Sequence, residues 1–225
     1  MIPTFLKTAG FAEPEAPLYY LVAANGTFLV RKTGLFTSVC RTNSVAGLEA
    51  QTPSVALRFG KIPKALMERV YGFFAWAWRQ YQSEAILFLY YDPDTGRFLL
   101  DAPPQTIYLY RRMGKWRAEG RVTYGTLPRP QGHIKLGDLH SHADLPAFFS
   151  LQDDHDDCEE GLKIVMGHMD RAAPDVEVSF VAGKHRFPVK PEEAFEDFIV
   201  PLPPPRLWVQ RIHCEYDSEI QTRRY

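Results

Sequence analysis

The feature that most constrains the fold is an uninterrupted apolar run, Ala85–Tyr91, in the middle of the chain. A strand that is apolar at every position is typical of the buried centre of a sheet. A helix is predicted before this run, from Pro63 to about Tyr81, because proline suits a first helical position and apolar residues follow at helical spacing. Those apolar residues are Leu66, Val70, Phe73, Phe74 and Ala77. The sequence therefore predicts a mixed α/β fold with a helix packed on a central sheet.

Changes of pattern along the chain predict three parts. Residues 1–51 form an N-terminal β-rich extension, in which Asn25-Gly26 is typical of a hairpin turn. Residues 52–200 form the main domain. Residues 201–225 begin with a proline-rich break and continue as a C-terminal tail.

Within the main domain, short apolar runs separated by turn residues predict further strands. These strands are Ser54–Phe59, Arg97–Asp101, Thr106–Arg111, Gly120–Thr126, Leu162–Met166, Val176–Val181 and Phe187–Val189. A short acidic helix, Glu192–Phe198, is predicted after Pro191.

Composition and charge exclude several classes of function. The formal net charge of −1 gives the chain no overall attraction to nucleic acid or to an acidic membrane. The longest apolar stretches are too short to span a bilayer, and Glu13 and Glu15 interrupt the N-terminus before any signal-peptide core. The three cysteines show no C-x-x-C spacing, so we expect a reducing, cytoplasmic environment. The basic residues between Arg111 and Arg121 are interpreted as a solvated hairpin face, and no nucleic-acid partner is expected.

The residues best suited to chemistry lie within Gly137–Asp157. His140 and His142 fall at the end of a predicted strand, where alternate side chains point to the same side, so both imidazoles can reach one ion. Ser150 precedes Asp153, which is predicted to lie in the first turn of a helix. Two imidazoles and a carboxylate are a ligand set that zinc accepts. Each fragment also has a structural interpretation, since Ser150-x-x-Asp153 fits a helix capping box.

Glu84 is a second candidate, because it stands directly before the buried apolar run. A charge beside a buried strand needs a reason. By itself, Glu84 is best interpreted as a solvated side chain in the turn between the helix and the strand.

The joined pattern H-S-H, seven residues and S-x-x-D closely resembles the signature of the JAB/MPN/JAMM metalloprotease family, and every fixed position matches. The segment HSHADLPAFFS is similar to the sequence of a bacterial branch of this family, the PRTRC-system protein A type. Ala143 and Phe149 depart from the family, because many members carry proline at those places. Neither position supplies a ligand, so the departures concern the shape of the loop. The resemblance covers roughly residues 52–190 and implies a central mixed β-sheet flanked by helices, of the cytidine-deaminase-like type.

The resemblance implies a role for each candidate residue. His140, His142 and Asp153 would bind Zn²⁺, with water as the fourth ligand. Glu84 would be the general base and then the general acid, and Ser150 would hydrogen-bond the oxyanion.

The sequence does not rank the residues that could hydrogen-bond to the metal ligands. Four nearby residues are candidates for orienting the histidines. They are Asp138, Asp144, Asp154 and His155.

The same resemblance implies hydrolysis of an amide bond at the C-terminal tail of a ubiquitin-like protein or its conjugate. It also implies an E1-like enzyme as a companion. Two alternatives stay open. The domain could be a non-catalytic or autoinhibited MPN-type scaffold, or, from the D-L-H-x-H opening at Asp138–His142, a PHP-type metallophosphoesterase. A zinc deaminase and an H-E-x-x-H protease are not supported, because their motifs are absent from the sequence.

Overall fold

The structure, a computed structural model, describes residues 1–112, 115–149, 159–183, 185–198 and 200–217. The chain separates into two compact units, Met1–Ser54 and Val55–Tyr225. The three-part division at residues 51 and 200 stays a prediction.

The first unit contains a sheet with the strand order β1-β2-β3-β4 in its described residues. Its strands are β1 (Thr4–Leu6), β2 (Leu18–Ala23), β3 (Gly26–Lys32) and β4 (Thr37–Arg41). The turn between β2 and β3 brings Ala23 opposite Gly26, whose φ of 138° is accessible to glycine but not to residues with a side chain. The predicted hairpin at Asn25-Gly26 is therefore confirmed, whereas β1 was not predicted.

The second unit is built on a mixed sheet with the order β12-β11-β10-β9-β5-β6 in the described part of the chain. Its strands are β5 (Ile86–Asp92), β6 (Arg97–Asp101), β9 (Ile134–Ser141), β10 (Gly161–Gly167), β11 (Asp175–Ala182) and β12 (His185–Val189). The strands β9 and β10 run parallel, while the other neighbours are antiparallel. The predicted mixed α/β fold with a central mixed sheet is confirmed.

Helix α1 (Lys64–Tyr81) covers one face of this sheet. Its predicted apolar stripe is mostly buried, and it belongs to the same core cluster as Ala85, Leu87 and Leu89. The intervening residues Ile86, Phe88 and Tyr90 form a separate cluster on the opposite face. The continuous apolar run thus reflects a strand covered on both sides. Among the described residues, no helix combines the length and the apolar character needed to cross a membrane.

The second unit also contains a smaller sheet, with the order β13-β7-β8 in the described residues. Through this sheet the C-terminal strand pairs with the middle of the chain. Its strands are β7 (Gln105–Arg112), β8 (Lys115–Tyr124) and β13 (Ile212–Asp217), and the short helices are α2 (Pro191–Ala194) and α3 (Arg206–Gln210). Leu202 donates its backbone N–H to the carbonyl of Glu68 at 2.9 Å as the chain crosses α1. Trp208 is buried against Phe73, with ring centroids 5.7 Å apart.

Some element predictions were wrong. Residues 54–59 form no strand; the side chains of Leu57 and Phe59 pack on the core without a neighbouring strand. The helix predicted at Glu192–Phe198 ends at Ala194, because Phe195 is extended and bridges Ile62. The strand predicted at Gly120–Thr126 is the second half of β8, which ends at Tyr124.

We expect Gly72→Ala to destabilise the second unit. A Cβ at this position would lie 1.6 Å from the backbone oxygen of Leu202, so the crossing chain would have to move. Alanine gains about 1 kcal/mol of helix propensity over glycine, yet overpacking should still lower the free energy of unfolding by about 1–3 kcal/mol. Urea denaturation measures this change. The matched control is Gly60→Ala, where a Cβ meets nothing within 4 Å. Equal effects in the two variants would contradict the close crossing.

Candidate metal centre

The two histidines lie together at the end of β9. His140 is on the strand, and His142 follows its last residue, Ser141. Their Nε2 atoms are 3.2 Å apart and their ring centroids 5.1 Å apart. Two imidazole nitrogens that bind one tetrahedral zinc at about 2.0–2.1 Å lie about 3.3–3.4 Å from each other. The separation of the two nitrogen atoms is therefore compatible with a shared zinc ion.

His142 is held on several sides. Its backbone N–H donates to the carbonyl of Met166 on β10 at 2.8 Å. Its ring packs edge-on against Phe148, with centroids 4.7 Å apart, and the residue is 6% exposed. The ring is therefore fixed by packing, which lowers the entropy lost when a ligand binds.

Glu84 lies two residues before β5, next to the first pairing of this segment with β9. The N–H of Ser141 donates to the carbonyl of Ala85 at 3.0 Å, and the N–H of Ala85 donates to Oγ of Ser141 at 3.1 Å. Ile86 pairs with His140 one step further along the strands. Side-chain alternation puts Ile86 on the histidine face, and we expect the side chain of Glu84, two residues earlier, to point to the same face if the alternation continues. Glu84 is half-buried.

Two of the predicted site residues, Ser150 and Asp153, lie outside the described residues, as do Asp154 and His155. Within the described ranges, no group of three His, Cys, Asp or Glu side chains converges as a metal site would require. The roles of Ser150 as oxyanion donor and of Asp153 as third ligand therefore stay predictions.

The donor set nevertheless fits zinc. Two nitrogen ligands at the observed separation leave room in a tetrahedral shell for one carboxylate and one water. The same 3.2 Å also suits a hydrogen bond between two neutral rings. Metal content is the observable that distinguishes the two arrangements.

A buried ion pair lies beside His140. Lys163 on β10 is 4% exposed, and its ammonium lies 2.6 Å from the carboxylate of Asp138 on β9. Asp138 shares a face with His140, two positions along the same strand. Of the candidate orienting residues, Asp138 is thus the one with a described side-chain contact. Lys163 was missed, although a lysine inside the apolar strand Gly161–Gly167 is a signal that sequence reasoning can use.

The loop after the histidines has an unusual backbone. Ala143 has a φ of 50°, and its carbonyl accepts a hydrogen bond from the N–H of Met169 at 2.7 Å. His168 holds the same loop, since its Nδ1 lies 3.0 Å from the carbonyl oxygen of Asp144. The side chain of Asp144 is exposed. Proline fixes φ near about −65°, so it could not occupy position 143 in this conformation. The departure at Ala143 is therefore a difference in loop path.

Charges at the outer end of the histidine face are paired as well. Lys135 lies 4.2 Å from the ring centre of Phe88 and hydrogen-bonds the carboxylate of Glu159. That hydrogen bond holds the pKa of Glu159 below its ordinary value. Burial raises the pKa of Tyr90 on the same face.

Comparison with known families identifies the family to which this chain belongs. Residues 73–194, more than half of the chain, match the Prok-JAB family model, which is described as prokaryotic homologs of the JAB domain. The chain belongs to the Prok-JAB family. Among curated proteins, no sequence matches it. The Prok-JAB match contains all five predicted site residues, whereas β1–β4 and β13 lie outside it.

The ion pair predicts a stability difference that can be measured in metal-free protein. Lys163→Met leaves the carboxylate of Asp138 without its buried counterion, which should lower the free energy of unfolding by about 3 kcal/mol. The double variant Asp138→Leu/Lys163→Met should recover more than half of that loss, because no buried charge remains. Urea denaturation measures both.

The control for this prediction is Lys135→Met, which removes the more exposed pair with Glu159. It should cost about 1 kcal/mol or less. A double variant as unstable as Lys163→Met would show that lost packing, and not an uncompensated charge, dominates.

Proposed function

We propose that this Prok-JAB chain is a zinc-dependent metallopeptidase of the isopeptidase type, which hydrolyses an amide bond. The observation that carries the proposal is the 3.2 Å separation of the Nε2 atoms of His140 and His142, next to the Ala85–Ser141 pairing that presents Glu84. Paired imidazoles alone would fit many roles. A carboxylate on the same face adds the group that a hydrolase needs to move a proton.

His140, His142 and Asp153 are the residues that would hold zinc, with water completing the shell. Two neutral imidazoles and one carboxylate leave the site with a net charge of about +1. Zinc in such a site lowers the pKa of its water to about 7, so that hydroxide is available near neutral pH.

Glu84 would accept a proton from the attacking water and then donate it to the leaving amine, as general base and general acid. The pairing of the next residue, Ala85, with Ser141 supports this role, since Ser141 lies between the two histidines and proton transfer requires hydrogen-bond reach. Ser150 is proposed to donate its hydroxyl hydrogen to the oxyanion that develops on the attacked carbonyl.

The substrate class and the partners rest on family resemblance. We propose that the cleaved bond lies at the C-terminal tail of a ubiquitin-like protein or its conjugate, and that an E1-like enzyme belongs to the same system. We place the reaction in the cytoplasm; among the described residues, Cys40 and Cys214 are free thiols, as a reducing compartment favours.

Zinc binding is tested by the metal content of freshly purified protein. Wild type should carry about one zinc per chain and His140→Ala little or none, because losing one of three protein ligands weakens a site severely. The matched control is His133→Ala, at a histidine that precedes β9 and hydrogen-bonds the Gln131 carbonyl. It should keep its zinc. Equal metal in His140→Ala and wild type would remove the metal centre from the proposal.

The proton-transfer role is tested with Glu84→Gln. This variant should keep its zinc, while kcat for cleavage of a ubiquitin-like fusion falls at least about 100-fold, because the amide cannot accept the proton. Glu159→Gln, on the same face but exposed, should change kcat less than twofold. Unchanged cleavage in Glu84→Gln would reject Glu84 as the base.

Hydrolysis of a phosphoester is measured alongside cleavage of the ubiquitin-like fusion. Phosphoester hydrolysis without peptide cleavage would favour the metallophosphoesterase alternative. Zinc-loaded wild type that cleaves neither substrate would favour a non-catalytic scaffold.

A further inference from the structure

At the start of β5, no strand among the described residues pairs with the edge that faces away from β9. The pairing of β6 with β5 stops at Phe88, opposite Asp101. Because Ala85 pairs with Ser141 through the backbone groups that face β9, the N–H and C=O of Ile86 point to the other side. Buried backbone groups require hydrogen-bond partners. Ile86 is 6% exposed, so something other than β6 must satisfy it.

The side chain of Gln105 takes the place of the missing strand. Its Oε1 accepts from the N–H of Ile86 at 2.9 Å, and its Nε2 donates to the carbonyl of Ile86 at 3.0 Å. The same Nε2 lies 3.3 Å from the carbonyl of Pro103. Gln105 is 2% exposed. A primary amide supplies a donor and an acceptor together, as the edge of a neighbouring strand does.

Gln105 is itself anchored by the C-terminal part of the chain. Its backbone N–H donates to the carbonyl of Arg211 at 2.9 Å, and it pairs with Ile212 at the start of β13. The guanidinium of Arg211 lies 2.7 Å from the carboxylate of Asp101 and donates to the carbonyl of Ala102 at 2.6 Å. These C-terminal residues lie beyond the family match, which ends at residue 194.

Hydrogen bonds on two sides therefore hold the segment that follows Glu84. Ser141 binds Ala85 from the β9 side, and Gln105 binds Ile86 from the opposite side. Glu84 is the next residue towards the N-terminus. The backbone that leads into Glu84 is therefore held from both sides of β5.

We propose that Gln105 is a positioning residue for Glu84. We further propose that β13, which lies outside the Prok-JAB match, holds Gln105 in place. The inference rests on the proposed function for its catalytic consequence. It concerns the base and not the metal ligands, because Gln105 acts on the edge of β5 that faces away from His140.

The test uses Gln105→Met in the full chain, since methionine keeps the length but lacks both hydrogen-bonding groups. Amide hydrogen exchange at Ile86 should become several-fold faster, because its acceptor is gone. For the ubiquitin-like fusion, kcat should fall about 10- to 100-fold with KM within about twofold, as expected for a displaced catalytic group. Zinc affinity, measured by competition with a chelator, should stay within about twofold.

The matched control is Tyr71→Phe, which removes another partly buried hydrogen bond of this unit, from the hydroxyl to the carbonyl of Ala172 at 3.2 Å. It should leave exchange at Ile86 and kcat unchanged. Arg211→Met is a milder variant that serves if Gln105→Met does not fold. It should move the same quantities in the same direction, by a smaller factor.

A readout independent of activity separates this inference from the proposed function. The side-chain carboxyl carbon resonance of Glu84, assigned by its loss in Glu84→Gln, should shift in Gln105→Met and not in Tyr71→Phe. If wild type cleaves nothing, the proposed function fails while this resonance still decides the positioning claim. An unmoved resonance, unchanged exchange at Ile86, or a loss of zinc affinity in parallel with kcat would each overturn the inference.

Discussion

The pairing of Ala85 with Ser141 is the interaction on which the site depends. It sets the register of β5 against β9, and through that register it decides which side chains share a face. A slip by one residue would turn His140 and Ile86 to opposite sides of the sheet. The hydroxyl of Ser141 strengthens the pairing, because it accepts the N–H of Ala85. The residue between the two histidines therefore has a structural task of its own.

The two faces of the central sheet differ in what they contain. One face packs on α1 and contains the main apolar core. The other carries His140, the buried pair of Asp138 with Lys163, and the smaller apolar cluster around Phe88. Burying charges is costly unless they are paired, so the pair is tolerated only because both partners lie at neighbouring positions of β9 and β10. The face that carries His140 thus combines a largely buried, paired charge with a small apolar cluster.

The Prok-JAB match covers residues 73–194, and two structural features of this chain bear on the site within it. The positive φ of Ala143 gives the loop after the histidines a path that proline does not allow. The C-terminal strand β13 pairs with β7 and reaches Gln105, so a segment outside the match supports the edge of β5.

Much of the local structure, and the chemistry of single residues, could be predicted from the amino-acid pattern. Periodicity located α1 to the residue at its C-terminal end, and the run at 85–91 located β5 within one residue, because burial of long apolar patterns leaves few alternatives. Spacing also predicted that His140 and His142 face the same side, and their Nε2 atoms lie 3.2 Å apart.

Contacts between distant segments could not be predicted in this way, because they depend on how the whole unit folds. The segment 54–59 has strand composition, yet it pairs with no strand among the described residues, and Leu57 and Phe59 contact the core through their side chains. Nothing local indicates that Gln105 replaces a strand beside Ile86 or that Lys163 meets Asp138, because both contacts arise from which strands become neighbours. Strand order follows from the packing of the whole unit, and that is a property the linear pattern does not contain.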